Sequence, residues 1–488
     1  MTLSRLLGAL PFPCRPLDAD LPIAAVTPDP DRCTPGSLFI AIEGFHRDGH
    51  AAIPLAIRNG ASAVVIHESR GELFPYLEAC HLPYVTVPDT RSAEAYLTAR
   101  IYGDPQQILK MTAVTGTNGK TSITAMLAAI YRMAQIPCET VGTLSGKMTT
   151  PDPATLYPLL ASFVERGITH VFLEASSHAL ALGKLAPIEF DGAIFTNLTP
   201  EHLDFHRDMD AYAAAKAKLF AQARRAIINL DDPYALPMCR AAHGTVYTVG
   251  THGSADFRIT NILRHGSYGI TYDLHTTNAV FRIRSPIPGL FTAMNTSEAA
   301  VAAYTDGIPR DLIRCALAAF RGVKGRLERM ELPTNEFSVY IDYAHTPDAL
   351  ENILRTVRGF LNSSQRLVLL FGCGGDRDRS KRAPMGRIAS QLADYVILTA
   401  DNSRSERTSD ILSEIREGIE EPCSYTVIES RQEAIIYAIE SARPGDVILL
   451  CGKGHEEYEI MPDGVHPFSE RSIVQDAVVK RLKSKGSY

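Results

Sequence analysis

Apolar residues fall along this chain in short continuous runs, and each run ends in a cluster of glycines, hydroxyls and charges. Residues 108–114 form one such run, and Thr115-Gly116-Thr117-Asn118-Gly119-Lys120-Thr121-Ser122 follows it. Ile123, Met126, Leu127 and Ile130 then recur at i, i+3, i+4 and i+7, the spacing of a helix with one apolar face. The pattern predicts a buried strand, a tight turn and a helix. The same grammar returns downstream. His170-Val171-Phe172-Leu173 runs into Glu174-Ala175-Ser176-Ser177-His178, and Ala193-Ile194-Phe195 into Thr196-Asn197-Leu198-Thr199-Pro200-Glu201-His202. Ser338-Val339-Tyr340-Ile341 runs into Asp342, Leu367-Val368-Leu369-Leu370-Phe371 into Gly372, Tyr395-Val396-Ile397-Leu398 into the Asp401 loop, and Val447-Ile448-Leu449-Leu450 into the Gly452 loop. Continuous apolar strands separated by helices predict α/β architecture with parallel sheets covered on both faces. Ligands of such sheets bind beyond the strand C-terminal ends, where this chain concentrates its polar residues.

Smaller elements complete the organisation. Residues 38–42 and 63–66 read as strands, 51–59 and 295–304 as helices, 211–222 as an Ala-rich helix, and 245–285 as β-rich. Tyr102-Gly103-Asp104-Pro105 reads as a linker and Lys324-Gly325-Arg326-Leu327-Glu328 as a turn closing the middle segment. Three domains follow: a smaller α/β domain over 1–98, a central phosphate-loop domain over 99–331 and a C-terminal α/β domain over 332–488. The glycines at 372–375 do not complete a G-x-G-x-x-G fingerprint, because Arg377 stands where the last glycine belongs.

Composition narrows the class. A net charge of −6 over 488 residues argues against a nucleic-acid binder. Nine scattered cysteines without a Cys-x-x-Cys pair read as reduced thiols of a cytosolic protein. No signal peptide and no membrane-spanning run is found, so membrane insertion is not expected.

Chemistry sits on the strand-end loops. Residues 116–122 place two glycines, Lys120 and the hydroxyls of Thr121 and Ser122 at a helix N-terminus, which makes a phosphate cradle with Thr121 positioned for Mg²⁺. The first glycine of the common G-x-x-x-x-G-K-[ST] loop would fall at Val114, so the match is to a shorter form; a plain glycine turn is the other reading. Glu174 and His202 follow strands that would share an edge with Lys120 and could hold Mg²⁺; a structural role for His202 stays open, and His178 and His206 rank below it. Lys216 is either a solvated helix lysine or, converted by CO₂ to a carbamate, an anionic ligand; Lys218 reads as solvated. In the C-terminal domain Arg377, Arg404 and Glu456 would together suit an amino acid's carboxylates and ammonium, or else form a surface ion-pair network. Asp342 and His345 could face a nucleotide or simply shape a turn.

Taken together these motifs resemble the Mur ligase family. The resemblance is carried by residues 115–121, Thr149-Thr150-Pro151-Asp152, 174–178, 196–198 with 202–206, 212–220 around Lys216, 325–328, 342–349, 372–379 and 452–456, in family order along nearly the whole chain. It is nearest to the branch that adds the third peptide residue to UDP-N-acetylmuramoyl-L-alanyl-D-glutamate in peptidoglycan precursor synthesis. The resemblance implies an N-terminal UDP-substrate domain, a central P-loop ATPase, a C-terminal Rossmann-like amino-acid domain, and a cytoplasmic monomeric enzyme. It implies that Gly116, Thr117, Asn118, Gly119, Lys120, Thr121 and Ser122 bind ATP phosphates, with Asn295, Arg326 and Asp342 as further ATP contacts. It implies Mg²⁺ on Thr121, Glu174, His202 and carbamylated Lys216, with Lys120, His202 and Lys216 catalytic. Thr149, Thr150, Ser176 and Lys184 match positions that hold the UDP substrate, and Arg377, Asp401, Asn402, Ser403, Arg404, Gly452 and Glu456 match the third-residue pocket. The family's Asp-Asn-Pro-Arg motif reads Asp401-Asn402-Ser403-Arg404 here. Its arginine implies meso-2,6-diaminopimelate, because the distal carboxylate attracts Arg404 whereas lysine's second ammonium would be repelled. The L-lysine-adding ligase, a folylpolyglutamate-type ligase and a non-catalytic nucleotide-binding regulator are the alternatives. Two positions depart from the family: Asp29-Pro30-Asp31 stands for its Asp-Ser-Arg, and Leu182 for a usual glutamine.

Overall fold

The computed structural model describes residues 1–488 apart from 15–19, 45–46, 145–147, 277–278, 363, 485 and 487–488. It separates into two compact units. The first comprises Met1–Thr260, Leu274–Phe281 and Met294–Leu317, and the second Asn261–Asp273, Arg282–Ala293 and Ala318–Tyr488.

The first unit opens with a four-stranded parallel sheet, β1 (Ala25–Thr27), β2 (Ser37–Ile40), β3 (Ala61–His67) and β4 (Tyr84–Val87), in sequential order. Its side chains alternate between two cores. Leu38, Ile40, Val65 and Val87 pack with Ala93 and Leu97 of helix α1 (Thr90–Ile101), while Phe39, Val64 and Ile66 pack with Ile53 and Leu77 on the other face. The predicted helix at 51–59 is a 3₁₀ turn, Gly49–Ala52, continued by an α-helix, Ile53–Arg58; Pro54 is tolerated in its first turn. The segment read as a linker is an ordered turn in which buried Asp104 pairs with Arg100 at 2.7 Å.

The next sheet has six strands in this unit: β5 (Lys110–Thr115), β6 (Cys138–Val141), β7 (His170–Glu174), β8 (Gly192–Phe195), β9 (Arg225–Asn229) and β10 (Thr245–Gly250). They lie parallel in the order β10-β9-β8-β5-β7-β6. The order reverses at β5, so the loops after β5 and β7 leave the same edge of the sheet, the place where such folds bind ligands. Helix α2 (Lys120–Met133) buries Ile123, Met126, Leu127 and Ile130, the face its spacing predicts. Helix α3 is Met209–Ala221 and helix α4 is Phe291–Thr305. The β-rich stretch supplies β10 and three more strands, Phe257–Arg264, Ile270–His275 and Val280–Ser285, across which the two units divide.

The second unit carries a six-stranded sheet: β11 (Glu328–Arg329), β12 (Ser338–Asp342), β13 (Leu367–Phe371), β14 (Tyr395–Leu398), β15 (Ser424–Val427) and β16 (Val447–Cys451), in the order β11-β12-β16-β13-β14-β15. Only the short β11 is antiparallel. On β13, Leu367, Leu369 and Phe371 face helices α5 (Pro347–Arg358), α6 (Arg382–Leu392) and α7 (Thr408–Arg416). Val368 and Leu370 face α8 (Arg431–Glu440) and α9 (Glu470–Ser484). Burial on both faces is why these strands read as unbroken apolar runs. All nine cysteines are unpaired, and among the described residues no helix is long and apolar enough to cross a membrane.

Candidate functional site

The loop after β5 is shaped by its glycines. Gly116 has φ +148°, and a Cβ there would lie 1.9 Å from Thr196 Oγ1; Gly119 has φ +92°, and a Cβ there would lie 3.0 Å from Asn295 Oδ1. The loop after β8 braces it: Thr117 N donates to Asn197 O at 2.9 Å, Asn118 N to Asn197 Oδ1 at 2.9 Å, and Thr196 Oγ1 to Asn118 O at 2.6 Å. Lys120 folds back on its own loop, with Nζ 2.8 Å from Gly116 O and 2.7 Å from Thr117 O.

Lys216 reaches the same carbonyl from α3. Its Nζ donates to Gly116 O at 2.9 Å and lies over the Tyr212 ring, and the residue is 1% exposed. Burial pushes the Lys216 ammonium well below its ordinary pKa, and the Lys120 charge beside it pushes the same way against a weaker pull from Glu201. The solvated-lysine reading is therefore wrong for Lys216. An uncharged amine is no anionic ligand, but it is the form that can take up CO₂.

Glu174, at the end of β7, is 2% exposed. Its Oε2 accepts from Thr121 Oγ1 at 3.0 Å and Thr143 Oγ1 at 3.1 Å, and its Oε1 from Thr143 N at 3.0 Å. Three of the four UDP-substrate candidates, Thr149, Thr150 and Ser176, gather around it. Thr150 Oγ1 donates to Glu174 O at 2.7 Å, Ser176 N donates to Thr150 Oγ1 at 2.9 Å, Thr149 Oγ1 lies 3.3 Å from Thr143 Oγ1, and Lys184 pairs with Asp152 at 2.5 Å. His202 adopts φ +57°, its ring packs edge-on to His178, and its Nε2 lies 3.8 Å from Glu201. His206 is buried against Ser177 Oγ at 2.9 Å. Among the described residues no three His, Cys, Asp or Glu side chains are arranged to hold a metal ion. The candidate set contains only two such residues, with a hydroxyl and a lysine completing it. Thr121 and Glu174, already in contact, fit a hard divalent cation, which prefers oxygen ligands.

In the second unit Asp342 is buried, and burial raises its carboxyl pKa. Its oxygens accept from Leu327 N at 2.6 Å and Ala344 N at 2.8 Å, so it pins the turn carrying Arg326, whose guanidinium lies over Tyr343. His345 is held through Nδ1 at 2.8 Å from Tyr343 O, and burial lowers its pKa.

The loops after β13, β14 and β16 converge. Asn402 Nδ2 donates to Glu456 Oε2 at 2.9 Å, and Asn402 Oδ1 accepts from Lys453 Nζ at 3.0 Å. Lys453 lies 3.6 Å from Asp401, and a Cβ on Gly452 would come within 3.1 Å of the same carboxylate. Arg404, at φ +52°, donates through Nη1 to Gly375 O at 2.9 Å and Asn402 O at 3.2 Å. Arg377 is exposed beside it, and burial raises the Glu456 pKa. The ion-pair network that competed with the pocket reading is real but belongs to other residues: Arg379 and Arg382 pair with Glu406. Sequence reasoning passed over Thr143, Arg382 and Glu406, and gave Asp152, Asp376 and Lys453 no role beyond their motifs. Lys453 alone had a local signal, lying between Gly452 and Glu456.

A buried staple supports these loops. Arg431 donates to Ala400 O at 3.0 Å, to Cys451 O at 2.8 Å and to Glu470 Oε1 at 2.7 Å, and both side chains are buried. Arg431→Ala is expected to cost about 3–5 kcal/mol in urea denaturation, because it strands the Glu470 carboxylate, whereas paired Arg431→Met and Glu470→Met costs much less.

Comparison with known proteins decides the family. Three family models match: Mur ligase family, catalytic domain, over residues 22–102; Mur ligase middle domain over 114–303; and Mur ligase, glutamate ligase domain, over 325–454. A UDP-N-acetylmuramoyl-L-alanyl-D-glutamate–2,6-diaminopimelate ligase of Caldanaerobacter subterraneus subsp. tengcongensis is 40% identical over 94% of this chain and 96% of its own length. The chain belongs to the Mur ligase family. A ligase of the same description from Syntrophomonas wolfei subsp. wolfei is 39% identical over 96% of both chains. A solved structure of a UDP-N-acetylmuramoyl-L-alanyl-D-glutamate–2,6-diaminopimelate ligase superposes with a TM-score of 0.71 at 31% identity, covering 99% of each chain. Mur ligases are ATP-dependent ligases, and the short phosphate loop, with Val114 in place of a first glycine, lies inside the matched middle domain. Asp29-Pro30-Asp31 forms a closed turn in which Asp29 Oδ1 accepts from Asp31 N at 3.0 Å.

Proposed function

We propose that this Mur ligase joins meso-2,6-diaminopimelate to the glutamyl carboxylate of UDP-N-acetylmuramoyl-L-alanyl-D-glutamate, with ATP as co-substrate, acting as a cytoplasmic monomer. The observation that carries this reading is the 40% identity over 94% of the chain to a ligase of that printed activity. The glutamyl carboxylate attacks the γ-phosphate, ADP leaves and an acyl phosphate forms; the free amino group of diaminopimelate then attacks the acyl carbon and phosphate leaves. Lys120 supplies charge where the transferring phosphoryl group gains it. Thr149, Thr150, Ser176 and Lys184 hold the nucleotide-peptide next to Glu174. Mg²⁺, which offsets phosphate charge, would be held by Thr121, Glu174, His202 and the carbamate of Lys216. Asn295, Arg326 and Asp342 stay proposed ATP contacts. Glu456, backed by Asn402, takes the amino acid's ammonium, and Arg377 and Arg404 take its carboxylates.

The test is phosphate release by the full chain with ATP and the UDP-dipeptide, in the presence of meso-diaminopimelate, L-lysine or glutamate. Release with diaminopimelate alone is the expected result. Release with lysine alone sinks the third-residue choice, and ATP binding without any amide product favours a nucleotide-binding regulator.

A further inference from the structure

Arg404 sits on a loop with little covalent rigidity, between Ser403 and Ser405, in a left-handed backbone conformation that a non-glycine residue holds only when its surroundings impose it. Arg404 N donates to Ile460 O at 3.0 Å, and the residue that follows it is held by the loop after β13. Asp376 Oδ1 accepts from Ser405 Oγ at 2.7 Å and its Oδ2 from Ser405 N at 3.1 Å. Asp376 N in turn donates to Glu406 Oε1 at 2.7 Å. The two loops therefore exchange hydrogen bonds in both directions, immediately after Arg404 on one side and immediately before Arg377 on the other. Glu406 is anchored from below by Arg382, which is fully buried and reaches it at 2.9 and 3.1 Å. The Arg382 hydrogen bonds, then the Asp376 amide, hold the Glu406 carboxyl down to about 2, so the anchor stays ionised across the working pH range. Close packing leaves the loops no slack, since a Cβ on Gly375 would lie 1.9 Å from Ser403 O.

We propose that Asp376, acting through Ser405 on a base formed by Glu406 and Arg382, is a positioning residue that fixes the Arg404 guanidinium for the distal carboxylate of the amino-acid substrate. The proposal rests on the reading of Arg404 given above. It makes third-residue selectivity a property of two braced loops. The clamp lies in the second unit, and the phosphate loop and UDP-substrate residues belong to the first, so its loss is expected to act on one substrate only.

The test uses the full-length protein and steady-state phosphate release with each substrate varied in turn. Asp376→Asn suits it, because asparagine tolerates the φ of +53° found at this position and keeps only one of the two acceptors. Ser405→Ala removes the hydroxyl, and Ser405→Thr restores one. Asp376→Asn and Ser405→Ala are expected to raise KM for diaminopimelate roughly tenfold. KM for ATP and for the UDP-dipeptide, and the melting temperature, stay near wild type, and Ser405→Thr recovers most of the loss. In an Arg404→Ala background Asp376→Asn adds less than about a twofold change, because the residue it positions is gone. The clamp is overturned if both variants leave KM for diaminopimelate within twofold, if all three KM values rise together, or if the effect of Asp376→Asn persists undiminished without Arg404. If Arg404→Ala itself leaves KM for diaminopimelate unchanged, the pocket reading is the part that fails, and the clamp falls with it.

Discussion

Replacing Glu174 with glutamine is expected to lower kcat/KM for amide formation by roughly 10³, about 4 kcal/mol of lost transition-state stabilisation, while the fold stands. The two expectations separate because of what surrounds the side chain. The carboxylate receives the backbone amide of Thr143 and the hydroxyls of Thr121 and Thr143. Glutamine is isosteric and can present its oxygen to the amide, and both hydroxyls can rotate to accept from its NH₂. No buried donor is stranded and no cavity opens, so the melting temperature should move little. Shape is critical here, because a Cβ on Gly142 would already lie 2.2 Å from Glu174 Oε1. What glutamine cannot supply is negative charge next to Thr121 at the phosphate-loop helix. Steady-state phosphate release with a thermal melt on the same sample reads both quantities. A loss of activity smaller than tenfold would show that Glu174 only ties Thr121 to Thr143.

The strand–loop pattern carried most of the architecture, for a physical reason. Strands buried on both faces need unbroken apolar runs, and their loops must be polar, so both halves of the pattern are written locally. Leu367, Val368, Leu369, Leu370 and Phe371 display it and are all buried. Local writing also made the phosphate loop readable, because Gly116, Gly119 and Lys120 act within a few residues of one another. The residues that sequence reasoning missed act across long separations. Glu406 meets Arg382 over 24 positions, Asp376 meets Ser405 over 29 and Asn402 meets Lys453 over 51. Nothing in the neighbourhoods of Asp376, Arg382 and Glu406 marks their roles, since Asp376-Arg377-Asp378-Arg379 reads equally well as a solvated charge run. For Lys216 only the solvated alternative failed. Helical spacing places it on α3 but cannot say that this face turns toward Gly116, so a buried amine looked like an exposed ammonium.

Lys216→Met is expected to cut kcat/KM by roughly 10³ without lowering stability at neutral pH. In CO₂-depleted buffer burial, and then the charge of Lys120, hold the Lys216 pKa in the folded chain well below the ordinary value, which favours the uncharged amine. The unfolded chain holds it as an ammonium with a pKa of about 10.4. The unfolded state thus binds the extra proton, and stability rises with pH from the folded pKa up to the unfolded one. Below that window both states carry the proton, and the folded state bears the cost of a buried charge. Methionine fills similar volume with no proton to exchange, so Lys216→Met should flatten this part of the stability–pH curve. The catalytic loss has a separate origin. With bicarbonate present, the amine nitrogen can bond to the carbon of CO₂ and release a proton, which turns the Lys216 side chain into an anion beside Gly116. Intact mass and a peptide map of wild-type protein in bicarbonate should then show one added CO₂ at Lys216, with activity rising in parallel. Methionine can form no such adduct and should respond to bicarbonate in neither mass nor rate. Two outcomes would count against this account. If Lys216→Met kept activity within tenfold of wild type, the lysine would be only a hydrogen-bond donor to Gly116 O. A pH–stability curve identical in the two proteins would show that the amine is not held uncharged.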